Sequence, residues 1–234
     1  MPIFDEAAKQ YDDWYTTPLG HFVDEVEKKM IAQLLQPQPG EKALDVGSGT
    51  GNFSFWLARQ QVQVTGLDES PQMMAKAMLK EQEQSEHLIP IEWREGDAHH
   101  IPFPDHSFDM VFSVSAVEFM ENPQQVVSEM IRAAKPGGRI VLGVIGKESS
   151  WGELYEKIGA ENPAHFFAKG RFFTEELLRK LSPLPASVIK GLYIPPDFEH
   201  FSPQEALQQE ENGQQEQLDP AGFLAIRWIK EELA

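Results

Sequence analysis

Residues 43–53 read ALDVGSGTGNF, and this stretch decides the fold. A short apolar run, Lys42–Val46, ends there in a cluster of glycines. Glycine has no Cβ, so its backbone can take a positive φ and approach a ligand closely. A helix that starts after such a turn offers free N–H groups and the positive end of its dipole, which can hold a phosphate or a carboxylate. We therefore predict a buried strand, a glycine turn and a helix; the alternative is a tight turn that binds nothing.

The spacing of the glycines narrows the choice of ligand. Gly47, Gly49 and Gly51 follow Asp45 in a D-x-G-x-G-x-G pattern. A dinucleotide-binding turn needs G-x-G-x-x-G, and a P-loop needs Gly-Lys-Ser/Thr, so the chain matches neither pattern. A nicotinamide dehydrogenase is therefore a rival hypothesis that the spacing disfavours.

Strand-like and helix-like segments alternate along the rest of the chain. Hydrophobic patterns predict further strands at residues 62–67, 91–95, 110–114, 140–145, 187–194 and 222–229. Helices are predicted at about residues 19–35, after Ser70-Pro71, and from Asn122-Pro123 to the stop at residues 135–138. The polar residues 207–218 are predicted to be a solvated helix end or a surface loop. The order is typical of an α/β, Rossmann-like, doubly wound fold with a mostly parallel seven-stranded sheet.

We expect one domain over residues 1–234. It divides into an N-terminal helical segment (1–38), a cofactor-binding core (40–146), an insertion or lid after the fifth strand (147–185) and C-terminal strands (186–234). Ligands of open α/β sheets bind beyond the carboxyl ends of the strands. The N-terminal segment and the insertion are therefore either lids over that edge or ordinary packing helices.

Composition limits the partners and the location. Acidic residues outnumber basic ones by 37 to 20, and the net charge is −17. This charge disfavours a nucleic-acid partner and a polybasic membrane contact. The chain has no cysteine, which excludes disulfides and thiol chemistry. No signal-like start and no run of ~20 apolar residues is visible, so we expect a cytoplasmic protein with no membrane partner, as a monomer or a homodimer.

Asp68 is the second candidate binding residue. It follows the second predicted strand, about 20 residues after the first glycine, where an acidic side chain can accept hydrogen bonds from ribose hydroxyls. The alternative is a carboxylate that complements the start of the next helix.

Four blocks in order carry a resemblance to a known family. They are LDVGSGTG (44–51), VTGLDES (64–70), EGDAHHIPFPDHSFDMVFS (95–113) and RAAKPGGRIVL (132–142). In these blocks the chain resembles the class I S-adenosylmethionine-dependent methyltransferases, and more narrowly the branch that includes the ubiquinone- and menaquinone-biosynthesis enzymes. The third block is the most specific to that branch, and together the blocks cover roughly residues 40–146.

The resemblance implies S-adenosyl-L-methionine as cofactor and methyl transfer to a small molecule. The glycine turn would hold the methionine part of the cofactor, Asp68 its ribose hydroxyls and Asp97 its adenine amino group. Because the methyl donor is already activated in the cofactor, no catalytic residue is assigned, and no metal is expected. The cofactor-binding residues that the resemblance implies are Tyr11, Tyr15, Asp45, Gly47, Ser48, Gly49, Gly51, Asp68, Glu69, Met73, Asp97, Ala98 and Ser113.

The substrate side is left open by the sequence. Some relatives carry a histidine pair after the fourth strand, where this chain has Glu118, either a substrate contact or base or a surface carboxylate. The departure disfavours quinone-type substrates. The aromatic residues of the insertion line an apolar pocket or pack on the sheet; they are Trp151, Tyr155, Phe166, Phe167, Phe172 and Phe173. A cofactor-binding protein without methyl transfer is the alternative function.

Overall fold

The computed structural model describes residues 4–5, 11–83, 88–197 and 202–231. Its strands are β1 (Lys42–Val46), β2 (Gln63–Asp68), β3 (Glu92–Glu95), β4 (Phe108–Val114), β5 (Ala134–Ile145), β6 (Ala186–Gly191) and β7 (Phe223–Ile229). They form one seven-stranded sheet in the order β3-β2-β1-β4-β5-β7-β6. Strands β1 to β5 pair in parallel, and β7 lies antiparallel between β5 and β6. The predicted α/β fold with a mostly parallel sheet is confirmed.

Helices cover the sheet and connect its strands. They are α1 (Pro18–Leu35), α2 (Asn52–Ala58), α3 (Pro71–Glu83), α4 (Pro123–Ala133), α5 (Ser150–Glu161), α6 (Glu175–Arg179) and α7 (Pro203–Glu216). The predicted starts of α3 and α4 are confirmed. The Ser70 hydroxyl accepts a hydrogen bond from the Met73 N–H, and the Asn122 side chain accepts one from the Gln125 N–H. Both side chains pair N–H groups that the first turn leaves without a helical partner.

Both faces of the sheet are buried. Met110 and Phe112 of β4 belong to a core on the α1 side of the sheet, together with Ile31 of that helix. Val111, between them in sequence, belongs to the core on the opposite face with Met130 of α4. Successive side chains of a strand point to opposite faces, so a strand that is covered on both sides has a continuous apolar sequence. This burial accounts for the uninterrupted MVF run in β4.

Several predicted boundaries are wrong, among them the start of β5, which is predicted at residue 140 and observed at Ala134. Helix α4 ends at Ala133 and not at residues 135–138, because β5 already begins at Ala134 and that residue pairs with Phe108. The strand predicted to reach residue 194 ends at Gly191. Leu192 then takes a φ of 63°, and its N–H donates to Glu210 instead of to the neighbouring strand.

The polar residues 207–218 lie mostly within α7, with only the last two beyond it. Most of the side chains in this stretch are exposed, but Glu210 is buried and accepts hydrogen bonds from the N–H groups of Leu192 and Tyr193. The prediction of a solvated helix end is confirmed, and the loop alternative is wrong.

The topology decides where a ligand can bind. Strand β1 lies between β2 and β4, so the chain leaves β1 to one side of the sheet and later returns to the other side. Connections that leave in opposite directions open a crevice at the carboxyl ends of such strands. The glycine turn after β1 and residues 115–117 after β4 both lie at this crevice.

Candidate functional site

The three glycines of the turn have different structural roles. All three have positive φ, at 74° for Gly47, 54° for Gly49 and 84° for Gly51. A Cβ on Gly47 would lie 2.6 Å from the Ala116 Cβ, and one on Gly51 would lie 2.5 Å from the Trp93 ring. A Cβ on Gly49 would meet no atom within 4 Å. The first and last glycines therefore allow the protein to pack on itself, whereas Gly49 leaves open space beside its backbone.

Asp68, at the end of β2, holds the turn in place. Its Oδ2 accepts a hydrogen bond of 2.7 Å from the Gly49 N–H, and its Oδ1 accepts one of 2.8 Å from the Ser70 N–H. Burial raises the pKa of this carboxyl, and the two N–H donors act against that rise. One aspartate thus connects the glycine turn to the start of α3.

Asp45, inside β1, supports the turn from below. The side chain is 3% exposed, and its Oδ2 accepts a hydrogen bond of 2.7 Å from the Ser54 hydroxyl of α2. Burial raises the pKa of Asp45 to about 7. The carboxyl therefore connects β1 to α2 across the turn.

The N-terminal segment is attached to the same loops. Asp12, in a 3-10 helix over Tyr11–Thr16, accepts a hydrogen bond of 2.6 Å from the Thr50 hydroxyl. Its carboxylate also lies 3.2 Å from the ammonium groups of Lys76 and Lys80 on α3. These contacts place the Tyr11 ring over the crevice.

Two adjoining cavities occupy the crevice. The smaller, of about 60 Å³, lies against the glycine turn, and the larger, of about 680 Å³, lies beneath the insertion. The residues that line both are Phe4, Tyr11, Tyr15, Glu27 and Ser115. Because they share these walls, a ligand on the glycine turn would lie next to the larger chamber.

Most of the predicted cofactor-binding residues line the smaller cavity. Those that do are Tyr11, Tyr15, Asp45, Gly47, Ser48, Gly49, Asp68 and Met73. Ser48 is nearly buried, and its hydroxyl has no hydrogen-bond partner among the described residues. The structure thus brings together the turn, the end of β2 and the N-terminal aromatic residues.

The remaining predicted residues are not part of the cavity walls; they are Gly51, Glu69, Asp97, Ala98 and Ser113. Glu69 is exposed, and Ser113 is fully buried in β4. The Asp97 carboxylate accepts a hydrogen bond from the His99 N–H and lies 2.7 Å from the His99 ring, so it caps a 3-10 helix. Their role in binding stays a prediction.

Some of the aromatic residues of the insertion line a pocket, and others are buried outside it, so each of the two predicted alternatives holds for part of the set. Trp151, Tyr155, Phe166 and Phe167 line the larger cavity, and the rings of Tyr155 and Phe167 stack at 4.1 Å. Phe172 and Phe173 are 5% and 6% exposed and lie outside the cavity walls.

The N-terminal segment and the insertion meet over the chamber. The ring of Phe4 lies 5.0 Å from that of Phe166 in the insertion and 5.0 Å from that of Phe119, which follows β4. Contacts of this kind are expected of two lids that close over one binding site.

The surface alternative for Glu118 is wrong. The residue is fully buried, its Oε1 accepts a hydrogen bond of 2.9 Å from the Ile145 N–H, and its Oε2 has no partner in the described part of the chain. Burial raises the pKa of Glu118 to about 7. Glu118 is also absent from both cavity walls. Its hydrogen bond to Ile145 joins the loop after β4 to the end of β5.

Glu27 of α1 is a wall residue that the sequence reasoning missed. It is 9% exposed and lines both cavities. A signal was present, because Glu27 falls four residues after Val23 and three before Met30, on the buried face of the helix. A charged residue at such a position is a marker of function or of a buried pair.

The described residues contain neither a membrane-spanning helix nor a metal-binding cluster of side chains. None of the helices in ranges 4–5, 11–83, 88–197 and 202–231 is both long and apolar enough to cross a bilayer. Within the same ranges, no group of three or more histidine or carboxylate side chains is placed to hold a metal ion.

Comparison with known proteins adds three relationships. A family model described as a methyltransferase domain matches residues 44–142. A phosphatidylethanolamine N-methyltransferase of Cereibacter sphaeroides is 35% identical over 141 residues, which are 59% of this chain and 67% of that protein. A demethylmenaquinone methyltransferase of Desulfitobacterium hafniense is 36% identical over 141 residues; the match covers 59% of this chain and 55% of that protein.

A solved structure shows the same fold over nearly the full length. The crystal structure of an S-adenosylmethionine-dependent methyltransferase of Thermotoga maritima superimposes with a TM-score of 0.74 and 24% identity, covering 98% of each chain.

Proposed function

This chain belongs to the class I S-adenosylmethionine-dependent methyltransferases, and on that premise we propose that it methylates an apolar small molecule held in the aromatic chamber. S-adenosyl-L-methionine is its cofactor, and methyl transfer is its activity. The observation that carries the proposal is the shared wall between the two cavities, which places a methyl donor on the glycine turn next to the chamber.

The residues at the turn fit the cofactor. The open space beside Gly49 admits close approach of a ligand to the backbone, and the unpartnered Ser48 hydroxyl offers a hydrogen bond to a polar group. Asp68 retains lone pairs on both oxygens that ribose hydroxyls could use. We assign the turn to the amino-acid end of the cofactor and Asp68 to the ribose.

When bound, the cofactor supplies a methyl group on a sulfonium, and the protein supplies position. Tyr11 and Tyr15 lie between the two cavities, where they exclude water and orient an acceptor toward the turn. Positioning of two reactants can contribute up to ~7–11 kcal/mol to lowering a barrier.

The partners that we propose follow from charge. Neither lysine nor arginine is among the described residues that line the two cavities, and the net charge is −17. Both features favour a small molecule over a nucleic acid. The cytoplasmic location and the monomeric or homodimeric state stay predictions from the sequence.

Calorimetry on the purified protein tests the cofactor site, with S-adenosylmethionine and its demethylated product as ligands. We expect saturable binding of both compounds. A panel of apolar amines, phenols and alcohols with labelled methyl donor then tests the chamber. Absence of binding would remove the proposed cofactor site, whereas binding without any labelled product would remove the proposed acceptor class.

A further inference from the structure

Glu27 projects from α1 into the junction of the two cavities. It lines both of them and is 9% exposed. Its carboxylate has no hydrogen bond or ion pair in the described part of the chain. The neighbouring Lys28 is engaged elsewhere, 2.6 Å from Asp24 and 2.9 Å from the Asn52 side chain. A buried carboxylate without a partner is costly unless a ligand supplies one.

The surroundings of Glu27 favour a cation. It is the only Asp or Glu among the described residues that line the larger chamber. Asp24 and Glu118 add negative potential from nearby, and Lys28 only partly opposes it. Buried charges of one sign in a low-dielectric cleft attract the opposite charge.

Aromatic rings complete the walls of the chamber. Trp14, Tyr15, Trp151, Tyr155 and Phe223 all contribute. The faces of such rings attract ammonium groups, most strongly where water is excluded. A carboxylate inside an aromatic enclosure therefore matches a molecule that carries one ammonium group on an apolar body.

We propose that the methyl acceptor is an apolar amine, and that Glu27 binds its ammonium group and removes the proton before the nitrogen is methylated. This inference rests on the proposed function, since it names the acceptor class of the same chamber. Glu27 then acts as a catalytic residue, because it touches the reacting nitrogen.

The atoms and charges balance without another reactant. A proton moves from the ammonium nitrogen to a Glu27 oxygen, which frees the nitrogen lone pair. The nitrogen then forms a bond to the methyl carbon while the carbon–sulfur bond breaks, and that electron pair stays on sulfur. The products are the methylated ammonium, the neutral thioether and a protonated Glu27, which returns its proton to water when the chamber opens.

The protonation state of Glu27 suits this role. Burial first, and then the charges of Asp24 and Glu118, raise the pKa of Glu27 to about 8, with Lys28 acting against the rise. The charged and titratable groups around it are Asp24 and Lys28 on α1, Tyr11 and Tyr15 in the N-terminal 3-10 helix, Glu118 after β4, and Tyr155 on α5. His165 lines the same chamber, and Asp45 and Asp68 line the smaller cavity with Glu27. A base whose pKa lies near the working pH transfers protons most effectively.

Glu27→Gln tests the proposal, because it removes the charge and keeps the shape. Glu25→Gln is the control, since Glu25 lies on the exposed side of the same helix with a side chain that is 66% exposed. Calorimetry with the protein saturated in S-adenosylhomocysteine compares 2-phenylethylamine and hexylamine with 2-phenylethanol and hexanol. We expect each amine to bind at least tenfold more tightly than its alcohol in the wild type and in Glu25→Gln, and most of that preference to be lost in Glu27→Gln.

Turnover provides a second readout. Labelled methyl transfer to the amines should fall about 10²–10⁴-fold in Glu27→Gln at pH 7. The residual rate should rise with pH as the fraction of free amine grows, whereas the wild-type rate should level off once Glu27 is ionised. If Glu27 were merely structural, the rate of Glu27→Gln would be lower than that of the wild type at every pH, and the two pH profiles would have the same shape.

Three outcomes would overturn the inference. One is equal binding of amines and alcohols by the wild type, and another is methyl transfer to alcohols or phenols that Glu27→Gln leaves unchanged. The third is a loss of S-adenosylhomocysteine affinity in Glu27→Gln, which would assign the carboxylate to the cofactor. A wild-type protein that does not bind the cofactor at all would instead contradict the proposed function.

Discussion

The backbone N–H of Gly49 donates a hydrogen bond of 2.7 Å to the Oδ2 of Asp68, across the gap between two neighbouring strands of the sheet. The same carboxylate accepts the Ser70 N–H through its other oxygen. One side chain therefore shapes the glycine turn and also presents its remaining lone pairs to the cavity. The proposed ribose contact of Asp68 would therefore couple cofactor binding to the folded shape of this loop.

Replacement of Asp68 by alanine should weaken cofactor binding by about 10–100-fold. It removes the acceptor of two N–H groups and the proposed ribose contact, and each unmatched buried group costs about 1–3 kcal/mol. Calorimetry with S-adenosylhomocysteine measures the change. Asp105→Ala, which removes a surface aspartate paired with Arg132, serves as the control and should leave the affinity unchanged. Equal affinities for Asp68→Ala and the wild type would remove the ribose assignment.

Replacement of Gly49 by alanine should distinguish an effect on cofactor affinity from an effect on thermal stability. Gly49→Ala has no steric clash with the protein, but a non-glycine residue at positive φ costs about 1–2 kcal/mol. Gly40→Ala is a matched control, because Gly40 has a φ of 85° and equally open surroundings outside the cavity walls. We expect similar losses of thermal stability in both variants and a loss of cofactor affinity only in Gly49→Ala. Comparable affinity in the two variants would contradict close contact at Gly49.

The position of the N-terminal segment over the cavity should depend on Asp12. Asp12→Ala removes the contacts to Thr50, Lys76 and Lys80, and hydrogen bonds to charged groups are each worth about 1.5–3 kcal/mol. The 3-10 helix that carries Tyr11 should then cover the cavity less tightly. The dissociation rate of S-adenosylhomocysteine should therefore rise, which stopped-flow fluorescence can measure. Asp13→Ala alters an exposed neighbour and should keep the wild-type rate. An unchanged rate in Asp12→Ala would contradict the covering role of this segment.

Stability should depend on pH through Glu118. Burial raises the pKa of this carboxyl from 4.5 to about 7, so the folded protein holds a proton that the unfolded chain releases. Stability therefore falls as pH rises from about 4.5 to 7, by an amount on the order of 3 kcal/mol at 1.36 kcal/mol per pKa unit. Glu118→Gln should lack this decline and gain thermal stability relative to the wild type at pH 8 but not at pH 5. Parallel melting curves for the two proteins across this range would contradict the assignment.

Local sequence patterns predicted the β1 strand and the helix starts well, because strand formation and helix capping depend on residues that are close in sequence. Lys42–Val46 is predicted and observed with the same bounds, and the Ser70 and Asn122 caps start the helices that they predict. Boundaries failed where a distant strand intervened. Ala134 leaves the helix because it pairs with Phe108, and no pattern within the helix itself records that partner.

The substrate side could not be predicted in the same way. Glu118 has a charged side chain of the kind usually found at the surface. The loop after β4 nevertheless turns it inward, where it accepts a hydrogen bond from the Ile145 N–H. Glu27 looks like one of several acids on an amphipathic helix until Tyr11 and Tyr155 are placed around it. Burial of a charged residue is decided by segments far away in sequence, so a local pattern records it only faintly.

The sequence by itself determined the family, the cofactor and the strand-turn-helix unit that holds it, because glycine geometry and strand and helix periodicity act over a few neighbouring residues. Only the tertiary structure decided which carboxyl lines the larger cavity. The chamber has walls from residue 4 to residue 223, and its charge and shape arise when α1, the loop after β4 and the insertion pack against one another.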